Sequence, residues 1–465
     1  MVFPIAGGTQ DTSYEISNSL RYNDGDSARL SYTTGSSGSA RTFTWSMWLK
    51  RSTLGSTQYF FNSNNGHSDA AFLGGLFNSS DELLITSWDG GTELKTNRLF
   101  RDVSAWYHIV FAIDTTQSTN TNRVKMYING TQETSFDTAS YPNQNYDFTG
   151  VGNSGVEFIV GAMENTSPAY ANFYDGYISE FNFVDGTAYA ASDFGETNNN
   201  GVWVPKKPAI TYGTNGYKLE FKQTGTSANS SGMGADTSGN DNHFTPSNLN
   251  AYDVVPDSPT NNYCVLNSVD KDGHTNAEGN LEVSGNVIYG MQRGTIGATS
   301  GKWYFEARLN TYQGDTAIAL ANEDENIFTR FSGETTNSVG YLADNRFFYN
   351  SGATNYSSLT AGNIFQIAFD ADTGKIWIGK NNTWQNSGDP ANGTGSVQTV
   401  SWNFFLPAAR TVGSGVLHYN FGQDSSFGGH STAQNNADGN GYGDFYYAPP
   451  TGFFALNTKN LAEYG

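Results

Sequence analysis

A strand that carries acids at i, i+2 and i+4 presents all three on one face, and Glu-x-Asp-x-Glu in that setting supplies nucleophile, helper and acid for glycoside cleavage. The string is absent here. Its nearest approach, Glu278-Gly-Asn-Leu-Glu282, has Asn280 in the middle place. Glu323-Asp-Glu325 sets three carboxylates in a row, but neighbours on a strand point to opposite faces, so a solvated loop is expected. No Gly-x-Ser-x-Gly elbow occurs, and His67, His108, His243, His274, His418 and His430 follow no metal-ligand spacing. His108 and His418 fall on strands among aromatic residues, where a structural role is expected. The residues point away from an enzyme.

Two binding chemistries have better raw material. Asp236-Thr-Ser-Gly-Asn-Asp-Asn-His243 places Asp236, Asn240, Asp241 and Asn242 in one loop. Calcium takes roughly six to eight oxygens from such groups, which makes the loop a candidate calcium site. The competing and favoured reading is an Asx-rich turn whose side chains bond their own backbone. Sugar sites need an aromatic face for the C–H surface and amides or carboxylates for the hydroxyls. Trp88 with Asp89, and Tyr141-Pro-Asn-Gln-Asn-Tyr146, put these on loops, and Tyr349 and Trp384 offer further aromatic faces. Ser87-Trp-Asp-Gly-Gly91 matches part of a sialidase-type Asp box, but one copy reads as a turn.

The elements that must hold these residues are strands. Trp106-Tyr-His-Ile-Val-Phe-Ala-Ile-Asp114 sets Tyr107, Ile109, Phe111 and Ile113 on one face, and Arg123-Val-Lys-Met-Tyr-Ile-Asn-Gly-Thr131 returns with Val124, Met126 and Ile128. The device recurs as Ile364-Phe-Gln-Ile-Ala-Phe-Asp370, a tight turn, and Lys375-Ile-Trp-Ile-Gly-Lys-Asn-Asn-Thr383. Two hairpins ending on Asn-Gly and Asn-Asn predict two β-sandwiches. Thr42-Phe-Thr-Trp-Ser-Met-Trp-Leu-Lys50 alternates Phe43, Trp45, Met47 and Leu49 toward a core, and Trp303, Phe305, Ala307 and Leu309 do the same later.

Composition agrees. In 465 residues there are 53 Gly, 27 Tyr and 31 Phe, and charged residues make only 15 %, which suits strands joined by Gly, Asn, Ser and Thr turns rather than long amphipathic helices. The net charge of −20 opposes nucleic acid and anionic lipid, which are held through Lys and Arg. The lone Cys264 forms no internal disulfide and reads as a buried small hydrophobe. The N-terminal stretch lacks the pattern of a signal peptide, and no apolar run approaches the ~20 residues of a membrane span.

The expected architecture is all-β: a jelly roll over 1–205, a Gly/Asn/Ser-rich connector over 206–261 lying against it, a second sandwich over 262–447 and a packed tail over 448–465. Asn18-Ser-Leu-Arg-Tyr-Asn-Asp-Gly-Asp26, the Trp45/Trp48 strand, Trp106-Tyr-His-Ile-Val, Met126-Tyr-Ile-Asn-Gly130 and Tyr174-Asp-Gly-Tyr-Ile-Ser-Glu-Phe181 resemble the concanavalin A-like (LamG) lectin/glucanase superfamily. More narrowly they resemble LamG-containing structural proteins of marine bacteriophage virions. Trp303 to Glu306, Asp370 to Asn382 and Asn420-Phe-Gly422 resemble the SPRY domain, a sandwich used mainly for protein recognition.

The resemblance implies a structural protein in many copies on the outside of a phage tail or capsid, contacting other virion proteins and host surface carbohydrate. Synthesis in the host cytoplasm and release by lysis would bring it to the virion surface without a signal peptide. A decoration protein making only protein contacts is the alternative, and a polysaccharide depolymerase is disfavoured by the missing acid triplet.

Overall fold

The computed structural model describes residues 14–68, 71–88, 90–164 and 169–465. They divide between Thr260 and Asn261 into two compact units. Among the described residues α-helix is confined to Thr149–Gly152 and Thr458–Tyr464, and no helix is long and apolar enough to cross a membrane. The chain is all-β.

The first unit is a jelly-roll sandwich of two sheets, each of eight strands among the described residues. One sheet is centred on Thr42–Arg51, flanked by Trp106–Asp114 and Gly176–Asp185. The other runs through Thr92–Leu99, Glu82–Ser87, Phe72–Phe77, Gln58–Asn65 and Val156–Val160 to Arg29–Thr33. Inward-facing Phe43, Trp45, Met47 and Leu49 meet the opposite layer, where Trp45 stacks on Phe61 with centroids 4.6 Å apart. The Asn129-Gly130 turn has positive φ at both positions (47° and 80°), which brings Thr131–Gln132 back onto Val124–Ile128. Residues 206–261, read as a connector, supply three strands: Tyr217–Leu219 pairs with Gly176–Asp185, Thr245–Ser247 with Arg29–Thr33, and Val254–Val255 with Ser19–Tyr22.

Alternation predicts one covered face for the central strand, yet Thr42–Arg51 is buried along almost its whole length on both faces. The chain from 187 to 212 lies over the outer face, where Val110, Val184, Ala191 and Phe194 form a second apolar cluster with Trp203 and Tyr212. Farther along the same face, Lys50 Nζ meets Asp257 Oδ2 at 2.8 Å with both side chains fully buried, and Trp106 Nε1 donates to Asp257 Oδ1 at 3.3 Å.

The second unit pairs a seven-stranded sheet with a nine-stranded one among the described residues. The larger sheet is built on Lys302–Thr311, between Val416–Asn420 and Ile364–Asp370. Tyr341 meets Phe365 edge-on at 5.4 Å and Phe369 stacks on Phe405 at 5.5 Å across the layers. The predicted hairpin pairs Ile364–Asp370 with Lys375–Lys380, and at its end Asn381-Asn382, with φ of 46° and 62°, turns the chain into Thr383–Trp384. Its outer face is covered by the chain's last stretch. Phe454–Ala455 adds a parallel pairing to Lys302–Thr311, and Asn457 caps the final helix by accepting from Asn460 N at 2.9 Å. Under this cover Glu306 is fully buried and accepts from Tyr304 Oη (2.7 Å), Tyr447 N (2.8 Å) and Tyr446 N (2.9 Å). Burial outweighs these donors and pushes its carboxyl up to about 7 from the usual 4.5.

Asp257→Asn removes the carboxylate that neutralises the buried Lys50, which should destabilise the first unit by about 3–5 kcal/mol, whereas Lys50→Met with Asp257→Leu should recover most of the loss. Exchange of the Thr42–Arg51 amides measures both, and a loss under about 1 kcal/mol for the single variant would refute the assignment. Glu306 binds its proton more tightly folded than unfolded, so its contribution is complete below about pH 4.5 and fades as pH rises through about 7. The stability difference between wild type and Glu306→Gln should therefore shift across that window in urea titrations and stay level outside it. A difference level throughout would show that Glu306 does not titrate there.

Candidate functional site

Loops that are far apart in sequence converge at one end of the first unit. Trp88 follows strand Glu82–Ser87 and continues its outward alternation, Leu84, Thr86, Trp88. It is 46 % exposed, with one face stacked on Phe72 at 4.5 Å and 16°. Asp89 lies outside the described residues. Gly90 abuts Tyr146 so closely that a Cβ there would fall 2.8 Å from the ring, and Ser140 Oγ donates to Gly91 O at 2.5 Å. The loop of Tyr141 and Tyr146 is tied in turn to the turn after Trp106–Asp114: Asn145 N donates to Thr115 O at 2.8 Å and Gln144 Nε2 to Thr116 O at 3.0 Å. Tyr141 and Tyr146 are partly buried against the core, Tyr146 edge-on to Phe148 at 5.0 Å. Trp88 thus offers an open aromatic face, while the two tyrosines spend much of theirs on packing.

Next to these loops, on the outer face of the first sheet, lies a cavity of about 260 Å³. Part of its lining is small: the buried Ala112 and, at the surface, Ala188 and Ala190. Tyr127 and Tyr189 stand as walls. Asp114, Gln117, Asn122 and Lys125 form the polar rim. Asp114 accepts from Thr116 Oγ1 (2.6 Å), Gln117 Nε2 (2.6 Å) and Thr116 N (3.0 Å). Burial raises its carboxyl, but those donors and the charge of Lys125 outweigh it and hold the group below the ordinary carboxylate range. Partial burial pushes the Tyr127 phenol up.

The alternation that turns Tyr107, Ile109, Phe111 and Ile113 inward sets His108, Ala112 and Asp114 on the other face of the outgoing limb. Period-2 alternation also places Lys125 and Tyr127 on the other face, and the register pairs them with Ala112 and Val110. That signal was present. The Ala188-Tyr189-Ala190 wall had no local signal, because it is fixed by a long-range contact in which Tyr189 N donates to Thr44 Oγ1 at 2.8 Å.

The remaining candidates are not gathered with these. Tyr349 is a partly buried strand residue paired with Val339 and Gly352 in the smaller sheet of the second unit. Trp384 belongs to the larger sheet and packs beside Tyr304, centroids 6.4 Å apart. In the Asx loop Asp236 accepts from Lys218 N and Ser238 N at 2.8 Å and from Asn242 N at 3.0 Å. Asn240 Nδ2 donates to Gly213 O (2.6 Å) and Asn242 Nδ2 to Gly216 O (3.0 Å), while Asp241 points to solvent beside His243. The geometry is that of a knot of turns holding residues 213–218. Among the described residues no group of three or more His, Cys, Asp or Glu could hold a metal ion.

Two acidic and imidazole groups are used internally. His108 is fully buried: Trp203 Nε1 donates to its Nδ1 at 3.0 Å, which leaves Nε2 to carry the proton toward Ser46 Oγ at 3.0 Å. Burial pushes this imidazole down to about 3, so it is neutral in ordinary conditions. The expected solvated loop at Glu323-Asp-Glu325 is only partly so, since Glu325 is buried and accepts from the Thr335 hydroxyl.

Residues 24–192 match the Laminin_G_3 family, described as the concanavalin A-like lectin/glucanases superfamily. No curated protein matches the chain. Among solved structures it is similar to the SPRY domain of human HERC1, at 17 % identity over 33 % of this chain and 96 % of that one, with a TM-score of 0.27. The TRIM65 PSpry domain is similar at 10 % identity over 34 % of this chain and 88 % of that one, TM-score 0.29. The native heptameric SAP-like pentraxin from Limulus polyphemus is similar at 13 % identity over 38 % and 80 %, TM-score 0.28. The first unit thus carries a concanavalin A-like jelly roll of the LamG type, in an all-β chain whose solved neighbours include SPRY domains.

Proposed function

We propose that this chain is a lectin-like structural protein of a phage virion, exposed on tail or capsid, whose first sandwich attaches the particle to host surface glycans without turnover. The observation that carries the reading is the loop end of the LamG-type domain, where the half-exposed Trp88 stands beside the Tyr141–Tyr146 loop and a cavity walled by Tyr127 and Tyr189 opens nearby. Aromatic faces flanked by amides and hydroxyls suit the two surfaces of a sugar ring. Rigid sheets position them and loops present them, which is the usual division of labour in binding modules. The sequence resemblance to LamG-containing virion proteins supports the particle context, and the acidic surface keeps crowded copies apart. Display in many copies supplies avidity, so each site can be weak.

Purified full-length protein should adsorb to host-cell envelopes and to members of an array of bacterial surface polysaccharides, and free saccharide should displace it. Trp88→Ala should weaken that adsorption about two- to tenfold, the range expected for loss of one aromatic contact. Adsorption that no free saccharide displaces would overturn the lectin reading in favour of a decoration protein making protein contacts. Immunogold labelling of intact particles should place the chain on head or tail, and particles that take no label would overturn the virion assignment.

A further inference from the structure

The cavity beside the loop end is rich in donors. Lys125 has no carboxylate at ion-pair distance among the described residues, and the carboxylate beside it in the lining, Asp114, already accepts three hydrogen bonds. The Asn122 amide and the Tyr127 hydroxyl make no side-chain hydrogen bond among the described residues, and Tyr189 Oη accepts from Thr211 N at 3.4 Å while its own hydrogen is available. The lining therefore includes an ammonium, an amide and two phenols, beside a single carboxylate that is largely occupied. The ligand that complements such a site brings acceptors, and among them a negative one for the ammonium.

Size and shape narrow the choice. At about 260 Å³ the cavity lies just under the ~300–1,000 Å³ of common small-ligand pockets, so it takes one ring rather than a chain. Three alanines among its lining are small and apolar, and its two tyrosines suit the C–H face of a pyranose. The rim opens to solvent through exposed Asn122, Gln117 and Ala188, so a ring can enter while the rest of a polymer stays outside.

We propose that this cavity is a subsite for one carboxylate-bearing sugar residue of a surface glycan, with the carboxylate on Lys125 Nζ, the ring between Tyr127 and Tyr189, and ring hydroxyls on Asn122 and Gln117. The subsite rests on the lectin reading above and gives it a substrate class. It is formed by the back of the first sheet and the strip 188–190, separate from the open face of Trp88.

Titration of full-length protein with trigalacturonate, its methyl ester and a sulfated disaccharide, followed by ligand-observed NMR and calorimetry, tests it. Trigalacturonate should bind, the ester should bind about tenfold or more weakly, and Lys125→Met should weaken the acid to the level of the ester without changing the circular dichroism spectrum. Ala188→Trp, a filling change at an exposed position, should block the site in the same assay. Equal binding of acid and ester, or of wild type and Lys125→Met, would overturn the subsite. Tighter binding of the sulfated sugar than of the carboxylate would overturn the class. If Trp88→Ala still weakens adsorption to glycans in either case, the lectin reading stands without this subsite. If no saccharide, charged or neutral, binds the wild-type protein, both fall together.

Discussion

The constraint on which the rest depends is that the central strands carry buried residues on both faces. A two-layer sandwich asks for one apolar face per sheet, the other being left to solvent. Thr42–Arg51 and Gly176–Asp185 place Trp48, Lys50, Tyr177 and Val184 on the second face, and all are buried. That face has to be covered, and its polar groups select the cover. His108 finds Trp203, and Lys50 finds Asp257. A buried polar group without its partner is expensive, so each pair fixes which segment lies where more sharply than apolar contact alone. The second unit meets the same demand with Glu306, whose carboxylate is satisfied by the backbone of Tyr446 and Tyr447.

The cover explains the cavity. The strip from 187 onward enters over Thr44, where Thr44 Oγ1 donates to Thr187 O at 2.8 Å, and presents Ala188 and Ala190 toward the hairpin Trp106–Asp114 and Val124–Ile128. With larger residues there, the strip and the hairpin would close on each other. The alanines leave a gap that Tyr127 and Tyr189 line and Lys125 overlooks. The same geometry that buries Val110 and Val184 therefore ends in a space shaped for a ring. Glu306 shows the opposite outcome. A carboxyl with a raised pKa in a cleft often marks catalysis, yet here it sits under the tail with its acceptors spent on structure.

What could be read from the sequence followed from local chemistry. Period-2 alternation gave Phe43, Trp45, Met47 and Leu49 their inward direction, and the dipeptides Asn129-Gly130 and Asn381-Asn382 gave the turns on which both hairpins end, because few residues other than Asn and Gly tolerate positive φ twice in succession. The Asx composition of 236–242 announced a turn for the same reason. Within 206–261 the apolar alternation of Gly216-Tyr-Lys-Leu-Glu-Phe221 announces the strand Tyr217–Leu219, but Thr245–Ser247 and Val254–Val255 were hidden, because each is only two or three residues long and pairs with a partner more than 200 residues away. The candidate site divided along the same line: Trp88 and Tyr146 stood out as aromatic residues on loops, but their proximity, and the wall at Tyr189, depend on contacts between segments that no window of sequence spans.

Charge sets the last condition on how such a surface can work. A chain of net charge −20 repels an acidic polymer at a distance, which opposes the approach of a carboxylate to the cavity. The repulsion is a property of the far field, and at physiological ionic strength it is screened beyond about 8 Å. Inside that distance the local arrangement decides, and around Lys125 it consists of donors, with Asp114 already satisfied by Thr116 and Gln117. On the proposed reading, an acidic coat with a small donor-lined cavity would discriminate by geometry: it would reject diffuse polyanions that offer only charge, and hold those that also present a ring of the right size to Tyr127 and Tyr189.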